Sequence, residues 1–156
     1  MTRLVMACAV VAGLALPAMA QTTDTSNMEI LRQKIKADKK LVVAEYLTLT
    51  DAEGKGFWPV YDAYQKDLQQ INQRLGAVIK AYATAYNSGP IANDTAKKLL
   101  DEATAVDDAE AKLKGSYVPK VLATLPATKA ARYIQIENKI RAVIRYELAA
   151  GIPLVQ

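Results

Sequence analysis

From Met28 onward, apolar side chains in this chain recur with helical spacing. Met28, Leu31, Ile35, Val42, Tyr46 and Leu49 follow one another at steps of three, four or seven, with Lys34, Lys36, Lys39 and Lys40 off that stripe. This predicts a first helix over 27–47. A stricter pattern follows in Phe57, Tyr61, Tyr64, Leu68, Ile71, Leu75, Val78, Tyr82 and Ala85, spaced alternately by four and three. Polar residues from Asp62 to Arg74 and Lys80 fill the intervals, which gives a long amphipathic helix with a coiled-coil-like seam.

The ends of this long helix are also written in the chain. Thr50-Asp51-Ala52-Glu53 forms a capping box, in which the Thr50 hydroxyl accepts from the Glu53 amide and the Glu53 carboxylate reaches back to the Thr50 amide. Asn87-Ser88-Gly89-Pro90 supplies the stop. A third helix, capped by Asn93 or Asp94, carries Leu99, Ala103, Val106, Ala109, Leu113, Tyr117 and Val121, and Gly115 and Pro119 are expected to bend or interrupt it. A fourth begins near Pro126, buries Tyr133, Ile136, Ile140, Val143 and Ile144, and ends at Gly151 and Pro153.

The first twenty residues read differently. Arg3, the apolar run Leu4 to Leu16, and Ala18-Met19-Ala20 have the layout of a secretory signal peptide cleaved before Gln21. Residues 21–27 are polar and aperiodic, a flexible start, and 28–156 then form a single all-helical domain. Without residues 1–20 the chain keeps 19 basic and 16 acidic side chains and has neither Cys nor His. Thiol or triad catalysis and imidazole or thiolate metal sites lack their residues, and the three remaining Ser, at 26, 88 and 116, sit in no nucleophile-elbow or phosphate-loop context. The reading is a non-enzyme that needs no cofactor. So small and mixed a charge gives no argument for nucleic acid.

Length sets the architecture. A helix over 50–86 spans about 55 Å at 1.5 Å per residue, whereas a compact ball of this size has a diameter of about 37 Å. The expectation is an all-α, elongated four-helix antiparallel hairpin whose uncovered apolar edge is closed by a second copy.

Leu49-Thr50-Asp51-Ala52-Glu53, opening a long helix behind a signal peptide and a basic first helix, resembles the LTxxQ motif of the Spy/CpxP superfamily. Leu125-Pro126-Ala127-Thr128-Lys129 stands where a second such motif is expected, with Glu53 and Lys129 each in place of Gln and Pro126 in place of Thr. Leu49 to Phe57 and Leu125 to Tyr133 share one separation, as an internal duplication would leave. The resemblance implies a periplasmic helical protein that dimerises into an intertwined or cradle-like form. It would act as an ATP-independent chaperone or stress-response protein binding unfolded or partner polypeptides. The alternatives it carries are an adaptor of a membrane sensor protein and a metal-responsive sensor. The last is disfavoured because Met28 alone remains as a soft ligand after the leader.

Two constellations can serve such binding. Phe57, Trp58, Tyr61 and Tyr64 form an aromatic cluster at the start of the long helix, kinked at Pro59, which is either a contact surface for polypeptides or a core closure. Gly54 and Gly56 before it would admit close packing of another backbone. Arg132, Arg141 and Arg145, with Lys129 and Lys139, make the last helix basic. They can pair with the acidic third helix (Asp101, Glu102, Asp107, Asp108, Glu110), or form a rim toward acidic clients or a membrane surface. The acidic cluster lacks calcium-loop spacing and reads as solvated surface. Glu137 and Arg141 are read as an i,i+4 pair.

Overall fold

The computed structural model describes residues 38–155. They contain four α-helices and no strand: α1, Lys39–Leu47; α2, Asp51–Asn87; α3, Asn93–Leu122; and α4, Ala127–Gly151. The all-helical class holds over these residues. The leader at 1–20, the stretch 21–27 and the part of the first helix before Asp38 lie outside them.

Helix α1 starts where Asp38 Oδ1 accepts from the amides of Lys40 at 2.8 Å and Leu41 at 3.1 Å. It stops at Thr48, whose φ of 46° is left-handed, with the Thr48 amide closing onto the Ala44 carbonyl at 3.2 Å. Val42, Val43 and Leu47 are buried, while Tyr46, which spacing placed on the stripe, is exposed. Leu47, four residues on from Val43, takes the inward place.

The capping box of α2 is present, with Thr50 Oγ1 accepting from the Glu53 amide at 3.3 Å and Glu53 accepting from the Thr50 amide at 2.8 Å. Phe57, Tyr61, Tyr64, Leu68 and Ile71 are buried, but the same repeat beyond them, Leu75, Val78, Tyr82 and Ala85, is only half-buried. The helix passes Pro59 without interruption because that residue is exposed, and the carbonyl deprived of a donor, that of Lys55, belongs to an exposed residue too.

One expectation for α3 is corrected, and another in part. Its first residue is Asn93 itself, so the cap position falls to Ala92, which makes no side-chain capping hydrogen bond. Nor do Gly115 and Pro119 interrupt it, for α3 is helical through Leu122. The carbonyl facing the proline ring is that of Gly115, an exposed residue. Helix α4 begins with the Pro126 carbonyl accepting from the amides of Lys129 and Ala130, both at 2.9 Å.

The most extensive helix contact is between α2 and α3. Tyr64 meets Tyr117 edge-on at 5.3 Å, and the Tyr117 hydroxyl donates to Asp67 at 2.7 Å. Phe57 and Tyr61 meet Tyr133 of α4 at 4.9 and 6.2 Å. Thus the aromatic start of α2 is the place where three helices share a core.

Candidate functional site

The predicted aromatic cluster divides by burial. Phe57, Tyr61 and Tyr64 lie in the core, and Trp58 alone is half-buried at the surface. Its ring meets Phe57 at 5.1 Å and Tyr61 at 5.4 Å, both edge-on. Lys40 Nζ sits 5.2 Å from the indole centroid, held there by Asp62 at 2.7 and 3.0 Å. The glycines before the cluster accommodate side chains where spacing had suggested a neighbouring backbone. A Cβ on Gly54 would come within 3.3 Å of Trp58 Nε1, and one on Gly56 within 3.5 Å of the Thr124 side chain. Gly54 therefore leaves room for the pyrrole edge of the indole against its own helix. Trp58, Pro59, Leu49, Ala44 and Lys55 line an open groove over the α1–α2 junction.

Ionic contacts tie the same region together. Lys39 donates to Glu137 at 2.7 Å and to Gln65 at 2.9 Å, and Gln65 donates to the other Glu137 oxygen at 3.0 Å. Glu137 is 5% exposed, the one buried charged residue among those described. This corrects the i,i+4 reading, for Arg141 instead donates through Nε to Glu110 at 2.7 Å, through a second contact from Nη2, and to Asn72 at 2.9 Å. Glu137 turns inward because Tyr133, Ile140 and Val143 hold its face of α4 against the core. Arg145 donates to Asp107 at 2.7 Å and to Glu110 at 3.1 Å, which holds its guanidinium above the usual range. Arg141 and Arg145 are thus engaged with α3, while Arg132 is exposed. No group of three or more His, Cys, Asp or Glu among the described residues is placed to hold a metal ion.

The two motif segments also meet. Lys129 Nζ donates to Glu53 at 2.6 Å and to the Thr48 carbonyl at 3.1 Å. The Lys129 ammonium and the Thr50 amide hold the Glu53 carboxyl below its ordinary range. Leu125 is buried and Leu49 half-buried, whereas Pro126 is exposed.

A second surface was not singled out by residue from the sequence. Near the Asn87–Asn93 turn, α2 and α3 leave an apolar groove of 310 Å³ walled by Leu75, Val78, Ile79, Tyr82, Leu99 and Leu100. Leu100 is 66% exposed. The signal was present, since the seam of α2 continues past Ile71 while the facing start of α3, residues 93–102, is mostly polar, with Ala96, Leu99 and Leu100 to set against it. No helix among the described residues is long and apolar enough to cross a membrane. No family model, curated protein or solved structure matches the chain.

Proposed function

We propose that this chain is a periplasmic, ATP-independent binding protein of the Spy/CpxP kind, which holds unfolded or partner polypeptides on apolar surface and catalyses no reaction. One observation carries the reading: the apolar seam of α2 continues beyond its covered part, leaving Leu75, Val78 and Tyr82 half-buried and Leu100 exposed. Apolar surface left contiguous in this way marks a place where another chain packs. Trp58, half-buried beside Lys40 and Lys55, adds an aromatic anchor at the opposite end of α2.

The same reading includes an antiparallel α2–α3 hairpin and its pairing with a second copy. The pairs Tyr64–Tyr117 and Arg74–Glu102, in which a rising number on α2 meets a falling one on α3, support the hairpin. Phe57–Tyr133, Gln65–Glu137 and Asn72–Arg141 rise together, which supports α4 running alongside α2 in the same direction. The thin α2–α3 pair beyond Ile71 supports the second copy, since two helices bury only one stripe of each. The signal-peptide layout of the first twenty residues in the sequence supports export, and the mixed charge supports polypeptide over nucleic acid. Exposed Arg132 offers a cationic contact to acidic clients or lipid headgroups.

Light scattering of a chemically denatured client, without nucleotide, tests the function. Suppression at near-stoichiometric ratio is expected, and unchanged aggregation at several-fold excess would remove the chaperone reading. Capture of one dominant protein, with no such suppression, would replace it with the adaptor.

A further inference from the structure

We propose that the apolar groove between α2 and α3 docks an extended apolar polypeptide segment, and that residues 152–155 of this chain lie across it as a built-in strap. The assignment rests on the polypeptide-binding reading above and names the site and the kind of segment it takes.

The groove is almost wholly apolar, lined by Leu75, Val78, Ile79, Leu99 and Leu100, and its one hydroxyl is spoken for. Tyr82 donates to the Pro153 carbonyl at 2.8 Å. A phenol that binds a main-chain carbonyl reads backbone, so it can hold any extended segment regardless of sequence. Ile152 is already extended, with φ of −100° and ψ of 117°, and Pro153 has no amide with which to resume a helix. Ile152 and Val155 both border the groove, while Leu154 between them is 89% exposed. Two residues three apart on one side is the spacing of a proline-containing extended chain.

The strap is loosely seated. Val155 remains 58% exposed, and Leu100 on the groove wall is 66% exposed. A tethered segment that covers its groove only in part is readily displaced by a competitor presenting more apolar surface. Its high local concentration sets the threshold that a client must exceed. The occupant is therefore an extended segment with apolar residues about three apart, backbone carbonyl toward Tyr82, and no charge on the inward side.

The test uses full-length chains and a fluorescein-labelled peptide with the sequence of residues 151–156, read by anisotropy. Ile152→Ser with Val155→Ser frees the groove and is expected to tighten peptide binding at least tenfold over the unaltered chain. Adding Leu100→Asp, at a position already exposed, should remove that gain, and adding Tyr82→Phe should reduce it. Equal affinity across the set, or a gain that survives Leu100→Asp, overturns the proposal. Client aggregation measured on the same variants separates the two claims. A strap-dependent gain without any aggregation suppression leaves the groove and removes the chaperone reading. Suppression by chains whose peptide affinity ignores both changes leaves the reading and removes the groove.

Discussion

Lys129 Nζ lies 2.6 Å from the Glu53 carboxylate, so the residue three into α4 is fastened to the residue three into α2. Both side chains are three-quarters or more covered, and Glu53 at the same time closes the capping box on Thr50. The two motif-like segments are therefore one structural joint.

This joint predicts an acid-sensitive stability. Glu53 is held below its ordinary value of 4.5, first by Lys129 and then by the Thr50 amide, so its folded-state pKa lies under its unfolded one. Its contribution is fully present above pH 4.5 and is lost as pH falls through the lowered folded value. Urea midpoints measured down the acid limb should fall more steeply for the unaltered chain than for Glu53→Gln. Thr50→Ala should cost about 1 kcal/mol at neutral pH, the usual worth of a cap. Parallel acid limbs for the two chains would refute the assignment.

How this joint was legible shows where sequence reading stops. The capping box is local, and four adjacent residues announced it. The pairing of Glu53 with Lys129 is not local, and only their matching places in two similar segments hinted at it. The same contrast governs Glu137. Four residues from Arg141, it read as half of a surface pair, yet the inward turn of α4 set by Tyr133 and Ile140 gives it to Lys39 and gives Arg141 to Glu110. The helices themselves follow from periodicity, which needs no knowledge of neighbours. Whether Phe57, Tyr61 and Tyr64 face core or solvent depends on Tyr117 and Tyr133, and no spacing within α2 records those contacts.

The Lys39–Glu137 pair predicts an asymmetric mutational response. Glu137 is buried and Lys39 partly solvated, so Lys39→Met leaves a covered carboxylate with Gln65 as its remaining partner. A loss of roughly 3 kcal/mol is expected, the lower end for breaking a buried pair. Replacing both, Lys39→Met with Glu137→Met, should recover much of it, because two apolar groups leave nothing unpaired. Denaturant unfolding of the three variants checks the cycle, and additive losses would contradict it.

Alkaline titration should single out the core phenols. Burial first, and the Glu137 carboxylate second, raise the hydroxyls of Tyr61, Tyr64 and Tyr133 above the ordinary value of 10.0. A folded pKa above the unfolded one means that the folded state keeps protons the unfolded state releases. Stability is then intact below pH 10 and declines as pH rises beyond it. Absorbance near the phenolate band should show these three ionising together with the loss of helical circular dichroism. Tyr133→Phe should change stability by less than about 1 kcal/mol, since its hydroxyl makes no well-formed hydrogen bond among the described residues and only lies near the Glu137 carboxylate, which Lys39 and Gln65 already hold.

The neighbours Phe57 and Trp58 should separate stability from binding. Phe57 is fully buried against Tyr133, so Phe57→Ala removes a ring from the meeting point of three helices and should cost about 3–5 kcal/mol. Trp58 is half-buried beside Lys40, and Trp58→Ala should cost less while weakening polypeptide capture. Because Trp58 is the sole tryptophan, its emission reports this groove without labelling. A denatured client added to the unaltered chain should shift that emission toward the blue as water leaves the indole, and Lys40→Ala should raise its access to the neutral quencher acrylamide before any client is added. Emission unmoved by a client that the chain demonstrably holds would place the client elsewhere, on the seam beyond Ile71.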